Sequence, residues 1–245
     1  MSRSRQTTLL SLSLAVLAVC LLSGKAVRSD AVRTTKGTIR RPCGLVLDEE
    51  GTTLFVAGAR SGTVAVIDTE SLQITGEFPV AARLSDLKPH PDGRRLLATD
   101  ADSNRLLVLT TEGERIEVTG RVALPHDPVR ICVDAPEHRC AIAGRWSRTV
   151  SLVEFAGGGA PALTSVWKTP FAPRELLFLP QHQRLLVAGA FAGELGVISL
   201  ESGNVESVRR LAGHNLHGLA LSASGDEIYI SHPQLRPDRR ADYED

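Results

Sequence analysis

Asp86, Arg130 and Glu175 occupy one recurring position in this chain, each directly before an apolar residue that opens a short β-rich run (Leu87, Ile131, Leu176). Gly44 and Gly218 hold the same position elsewhere, before Leu45 and Leu219. If these five apolar residues pack between layers, period-two alternation turns the preceding column the other way, towards a central channel. Two acids flanking one arginine then allow two chemistries. The plainer one is a salt-bridged ring that holds neighbouring units in register, since partly buried charges are paired. The sharper one is that Arg130 grips an anionic ligand or a partner's carboxylate.

Two further columns carry polar groups. The loops entering each unit read Arg41-Pro42, His126-Asp127-Pro128, Ala172-Pro173-Arg174 and His214-Asn215-Leu216-His217. The recurring proline fixes a turn before a strand. His126, Arg174, His214 and His217 can converge on one face, and neutral imidazoles bind transition metals. No helical spacing and no further ligand supports a metal here, so ordinary loop histidines are expected and no metal is assigned. The second set of loops reads Ala59-Arg60-Ser61-Gly62, Asp100-Ala101-Asp102-Ser103-Asn104, Arg145-Trp146-Ser147-Arg148 and Ala190-Phe191-Ala192-Gly193. Asp100 to Asn104 has oxygen ligands at alternate positions, like the start of a calcium loop. It lacks the glycine and the terminal glutamate, so turn-capping is the expected role. Arg145-Trp146-Ser147-Arg148 sets a Trp between two arginines, a composition favoured at contacts with a partner or ligand.

The elements that must position these residues repeat. Residues 41 to 80 divide into four short strands: Leu45 to Asp48, Leu54 to Ala57, Thr63 to Asp68 and Gln73 to Phe78, separated by Gly, Asp and Ser turns. The template returns in LKPHPDGRRLLAT, VRICVDAPEHRCAIAG, RELLFLPQHQRLLVAG and HGLALSASGDEIYIS. The residue ending the second strand marks the period, at Gly58, Thr99, Gly144, Gly189 and Ser231, in steps of 41, 45, 45 and 42 residues. Four strands per unit at this period predict an all-β fold, a β-propeller of four-stranded antiparallel blades. The chain holds four full repeats and a partial fifth. That count suggests an incomplete larger propeller, with a five-bladed ring as the alternative. In a closed ring a strand from Lys36 to Arg41 can complete the last blade and remove an exposed sheet edge. The glycine-rich excursion Ala156 to Pro161 has no helix after it to make a phosphate cradle, so a loop tip is expected.

Gly44 to Thr69 follows the pattern GL-x-L-x-x-x-G-x-x-L-x-V-A-G, then G-T-V-A-V-I-D-T, and 193 to 203 and 218 to 231 match it in part. This resembles the YVTN-type β-propeller repeat family, which includes methylamine-dehydrogenase-heavy-chain-like propellers. The resemblance covers roughly residues 41 to 232. It implies an exported protein, a ring of about seven blades, and one of several roles: a binding or surface module, part of a redox enzyme, or a lactonase. A fold of this kind does not fix function.

Composition narrows the field. Of 245 residues, 42% are hydrophobic and the formal net charge is zero, enough for one domain with a real core. Aromatic residues make up only 4%, and no basic block stands out, which argues against nucleic acid as the partner. Residues 1 to 26 have Arg3 and Arg5, an uncharged apolar stretch from Leu9 to Leu22, and small residues around Lys25. They read as a secretory signal peptide, too short for a confident membrane span. Residues 27 to 35 then form a leader, 36 to 232 the propeller and 233 to 245 a polar tail. Periplasmic or secreted localisation follows.

Cys132 and Cys140 sit in adjacent strands of the third repeat, where an oxidising compartment permits a disulfide; two buried thiols are the equal alternative. No CxxCH occurs, so the chain attaches no c-type haem, and no cofactor is assigned. No GxSxG, HExxH or paired-carboxylate motif occurs either.

Three functions remain. The first is a non-enzymatic exported binding scaffold whose partner is another protein or a small anionic ligand. Its candidate contacts are Asp86, Arg130, Glu175, Arg145, Trp146, Arg148, Arg174 and His217. The second is the propeller portion of a periplasmic redox system with a cytochrome-type partner. The third is a lactonase-like hydrolase using Arg130, Glu175 and His217.

Overall fold

The continuous apolar runs Leu96-Leu97-Ala98, Cys140-Ala141-Ile142-Ala143 and Leu185-Leu186-Val187-Ala188 are too short for helices and have no polar face. They suit strands covered on both sides. In the computed structural model, which describes residues 41–112, 115–155 and 160–233, these runs form the second strands of successive four-stranded antiparallel sheets. The signal peptide, leader, last residues of the tail and most of the glycine-rich excursion fall outside the described residues, as does most of the proposed strand from Lys36 to Arg41.

Each sheet is a simple meander. The first contains β1 (Pro42–Leu47), β2 (Thr53–Gly58), β3 (Thr63–Asp68) and β4 (Ile74–Pro79). The second contains β5 (Leu84–Pro89), β6 (Arg95–Asp100), β7 (Arg105–Glu112) and β8 (Arg115–Ala123). The third contains β9 (Pro128–Asp134), β10 (Arg139–Gly144), β11 (Thr149–Glu154) and β12 (Ala162–Lys168). The fourth contains β13 (Pro173–Leu179), β14 (Arg184–Gly189), β15 (Glu194–Ser199) and β16 (Val205–Arg210). A hairpin of β17 (Gly218–Leu221) and β18 (Ile228–Ser231) follows. These are the four full blades and partial fifth expected from the repeat.

Blades stack face to face, and strand alternation divides the core. Leu96 and Ala98 of β6 pack with Val46, Phe55, Val64 and Val66 of the first blade. Leu97, between them, points the other way and packs with Ile131, Cys140, Ile142 and Val153 of the third. Ala141, Ala143, Val150 and Leu152 meet Leu176, Phe178, Leu185 and Val187 of the fourth in the same manner. The second and third strands of the second and third blades are therefore covered on both faces. The fourth strands, polar in sequence, lie at the outside; every described residue of β16 is exposed except Val205.

The innermost strands β1, β5, β9, β13 and β17 are neighbours in that order. The apolar column expected to pack between blades does so at Leu87, Ile131 and Leu176, which are nearly fully buried. Leu45 departs from the expectation, with 63% exposed. This column faces the preceding blade, and the first blade has none before it among the described residues.

Every full blade carries the same two irregularities. In the innermost strand the register slips by one residue, between Pro42 and Gly44, between Leu84 and Asp86, opposite the step from Ala143 to Gly144, and between Pro173 and Glu175. The unmatched residues are Cys43, Ser85, Val129 and Arg174. In the outermost strand the unmatched residues are Thr75, Thr119, Thr164 and Glu206. The three threonines donate back to a third-strand carbonyl, those of Val66, Val108 and Leu152. A bulge bends its strand and re-aims the extra side chain.

Candidate functional site

The inner-strand bulges decide what faces the channel mouth. Cys43, Ser85, Val129 and Arg174 all line one cavity of about 410 Å³. The loops above it are tied down by a recurring bond. The amide after each second strand donates to the entering loop: Ala59 N to Arg41 O, Ala101 N to Arg83 O, Arg145 N to Asp127 O and Ala190 N to Ala172 O, at 2.8–3.0 Å. Arg41, Asp127 and Asn215 adopt left-handed backbone at the loop ends, which sharpens the entry into the inner strand.

At the base of the mouth, Asp86, Arg130 and Glu175 meet as the repeat predicts. Arg130 donates to Glu175 Oε1 from Nη2 at 2.6 Å and from Nε at 3.0 Å, and to Asp86 Oδ1 from Nη1 at 3.4 Å. Asp86 also accepts from the amides of Ile131 (2.8 Å) and Leu87 (3.0 Å). One arginine thereby ties the inner strands of three consecutive blades. Burial pushes the Asp86 and Glu175 carboxyls above the usual carboxylate range, and Arg130 works against that rise. Burial also works against the charge on Arg130, but Asp86 and Glu175 outweigh it and raise its pKa.

Around this triad the cavity is walled by Arg41, Arg60, Arg83, Arg130, Arg145 and Arg174, and no carboxylate among the described residues lines it. The acids stand behind or beside the wall. Asp127 accepts from Arg145 Nε at 2.9 Å and lies 3.9 Å from Arg83 Nη2, while the more exposed Asp102 accepts from Arg83 Nε at 2.6 Å. Among the described residues, Arg41, Arg60 and Arg174 have no carboxylate partner. Arg174 is held by neutral groups, donating from Nη1 to Asn215 Oδ1 and from Nη2 to His217 Nδ1 at 2.9 Å. Guanidinium only donates, so His217 accepts at Nδ1 and carries its proton on Nε2. Burial and the nearby Arg174 and Arg130 lower the His217 pKa. Burial lowers that of Arg174 too, opposed by Glu175 and aided by Arg130 and Arg145. Burial, with Asp86 beside it, raises Cys43 to about 11; it is a neutral thiol at neutral pH, not a nucleophile.

The loops between second and third strands carry the rest. Trp146 is 58% exposed and stacks on Phe191 of the next blade, with ring centroids 5.6 Å apart and planes at 28°. The Arg145 guanidinium sits 5.0 Å from the Trp146 ring. Arg148 holds left-handed backbone, as do Gly62, Asn104 and Gly193 at the same position. Its carbonyl accepts from Thr169 N, so its place in the blade is a turn position. Asp100 gathers the hydroxyl of Ser103 and the amides of Asp102 and Ser103, the turn-capping role expected over calcium. Among the described residues no group of three His, Cys, Asp or Glu side chains is placed to hold a metal ion.

One expectation changes. Cys132 pairs with Ala141 and Cys140 with Val133. The two cysteines are therefore one step out of register, and alternation sends them to opposite faces of the blade. Cys132 joins the core with the fourth blade and Cys140 the core with the second. Both are free thiols. Of the residues named for a hydrolase, Arg130 and Glu175 hold each other, and the Nδ1 of His217 is engaged by Arg174. Sequence reasoning did not single out Arg41, Arg60, Arg83, Asp127, Asn215 or Phe191. The available signal was an arginine recurring in the entering loops and second-to-third loops of several repeats.

The fold and the channel mouth define a β-propeller. Comparison with solved structures gives the same class. The chain is similar to hydrazine synthase from Kuenenia stuttgartiensis, with 18% identity and a TM-score of 0.66 over 81% of this chain and 58% of that one. It is similar to the Cps50 (Swd1) β-propeller domain from Myceliophteria thermophila, with 15% identity and a TM-score of 0.63 over 79% and 62%. It is also similar to the dihydro-heme d1 dehydrogenase NirN, solved in complex with DHE, with 19% identity and a TM-score of 0.58 over 69% and 37%. This chain thus spans less than two thirds of each of these three. At such identities the likeness establishes the fold alone. No protein-family model and no curated protein matches the sequence.

Proposed function

We propose that this chain is an exported, non-enzymatic binding module whose channel mouth receives an anionic group from a small molecule or a partner protein. One observation carries this reading. Six arginines from four blades line a single cavity, no carboxylate lines it with them, and three of the six have no acidic partner among the described residues. Guanidinium forks recognise carboxylate and phosphate groups in bidentate fashion. Arg130, braced by Asp86 and Glu175, forms the floor, while Arg41, Arg60 and Arg174 are the donors free of acid competition. The N-terminal apolar stretch supports export. No helix among the described residues is long and apolar enough to cross a membrane.

The test is calorimetric titration with propane-1,2,3-tricarboxylate and pyrophosphate at low and moderate ionic strength. Binding is expected, weakening as salt rises, and Arg60→Ala or Arg174→Ala should each reduce affinity at least about fivefold, in keeping with the loss of one charge-assisted bond. Binding that ignores both substitutions and salt would place the anion site elsewhere.

A redox role is the second reading. Its support is that two of the similar structures are a hydrazine synthase and a dihydro-heme d1 dehydrogenase. These 245 residues contain no CxxCH, so a c-type haem in such a system would sit on a partner subunit or on a domain beyond Asp245. A Soret band that co-purifies with the protein from its native source, and leaves with a second polypeptide, would favour this reading over a scaffold without redox partners.

A further inference from the structure

Beside the arginine mouth stands an apolar shelf; its two rings do not line the cavity but are linked to it through Arg145 and Arg174. Trp146 and Phe191 are 58% and 53% exposed, side by side on adjacent blades. They are the tips of equivalent loops, after β10 and after β14. In a chain with few aromatic residues, two stacked rings kept in water at a loop rim are not needed by the core. Of the other large exposed apolar side chains among the described residues, Leu72 lies in the turn between β3 and β4 and the rest, such as Leu45 and Leu47, lie in strands. Each ring is linked to an arginine of the cavity wall. Arg145 packs over Trp146 and is held from behind by Asp127. Arg174 donates to Asn215, whose amide in turn donates to the Phe191 carbonyl at 3.1 Å. A cavity of about 410 Å³ is in the usual range for a small-molecule site.

We propose that the anion taken at this mouth has a flat aromatic body: its acidic groups meet the arginines, and its ring lies on the Trp146–Phe191 shelf. This rests on the arginine mouth being an anion site, and it adds the chemical class of the ligand. Exposed aromatic faces attract a second ring by stacking and by removal of apolar area from water. The flanking guanidiniums fix where the charges of such a ligand must lie.

Two tricarboxylates of equal charge separate the contributions. Benzene-1,3,5-tricarboxylate and propane-1,2,3-tricarboxylate are titrated into the protein at pH 8, followed by calorimetry and by Trp fluorescence. The aromatic compound should bind about tenfold more tightly, in line with the worth of one stacking contact, and should quench fluorescence in a manner lost in Trp146→Ala. Trp146→Ala and Phe191→Leu should bring the aromatic compound down to the affinity of the aliphatic one, whose own binding should change far less. Trp146→Phe should restore part of the difference. Both loop tips are exposed, so unchanged melting curves are expected and serve as the folding control. Equal affinities that are indifferent to Trp146→Ala, yet reduced by Arg60→Ala, would overturn the aromatic inference and leave the anion site standing. Failure of both compounds to bind would overturn the two together.

Discussion

At the scale of single residues, the centre of the molecule is one arginine shared by two buried acids. Side chains of Asp86 and Glu175 are 1% and 10% exposed, against 27% for Arg130. Removing Arg130 leaves two carboxyls with little water and no cation. Arg130→Ala should therefore destabilise the fold near the lower end of the 3–5 kcal/mol that follows loss of a buried partner, because Arg130 itself is partly hydrated. The effect should depend on pH in a defined direction. Burial already raises both carboxyl pKa values in the folded protein, and without Arg130 they rise further. A raised carboxyl holds its proton in the folded state where the unfolded chain releases it, so the stability of the variant is greatest at low pH and is lost as pH rises through the folded pKa. Melting curves of wild type and Arg130→Ala should diverge at pH 8 and approach one another at pH 5. Equal gaps at both would mean that the acids do not depend on Arg130. The identity of this triad was legible in the sequence, because three ionisable residues stood at one repeat position. Its bonding was not: which carboxyl takes two donors and which takes one depends on the spacing between blades.

At the scale of elements, the four-strand blade follows from local signals, and its departures from ideal pairing do not. Alternation along β5, β9 and β13 correctly separates Leu87, Ile131 and Leu176 from Asp86, Arg130 and Glu175. One residue earlier the alternation fails, because a bulge inserts Cys43, Ser85, Val129 or Arg174 and turns that side chain into the mouth. Nothing in residue type marks the bulge; a thiol, a hydroxyl, an isopropyl group and a guanidinium all occupy it. The same pairing geometry decides the cysteines, since a one-residue offset is enough to part Cys132 from Cys140. The strand ends offer a direct test of register. A Cβ added at Gly58 would collide with Ser61 Oγ, and one at Gly189 would lie 2.6 Å from the end of Glu194. Gly58→Val and Gly189→Val should each lower stability by about 1–3 kcal/mol through overpacking. The smaller loss is expected at Gly189, where the flexible carboxylate can swing away. Unchanged thermal midpoints in both variants would be inconsistent with these tight turns.

At the scale of the whole molecule, stability is a sum over blades and the faces between them. Strand β10 has blades on both sides and is buried along nearly its whole length, whereas β17 and β18 form a two-stranded hairpin with no fully buried residue. Amide hydrogen exchange should be fastest in β17 and β18, and slowest in β6 and β10, where opening requires two interfaces to part. Comparable protection throughout would indicate that the hairpin is covered by something beyond the described strands. The sequence by itself determined the all-β class, the period, the number of strands per blade and the inward column of Asp86, Arg130 and Glu175. These are properties of neighbours along the chain, set by apolar alternation and turn residues. Only the tertiary structure decided that Arg41, Arg60, Arg83, Arg145 and Arg174 join Arg130 around one cavity, and that Trp146 meets Phe191. Those residues sit on different blades, and their convergence depends on strand bulges and on the packing of one blade against the next, which no local pattern encodes.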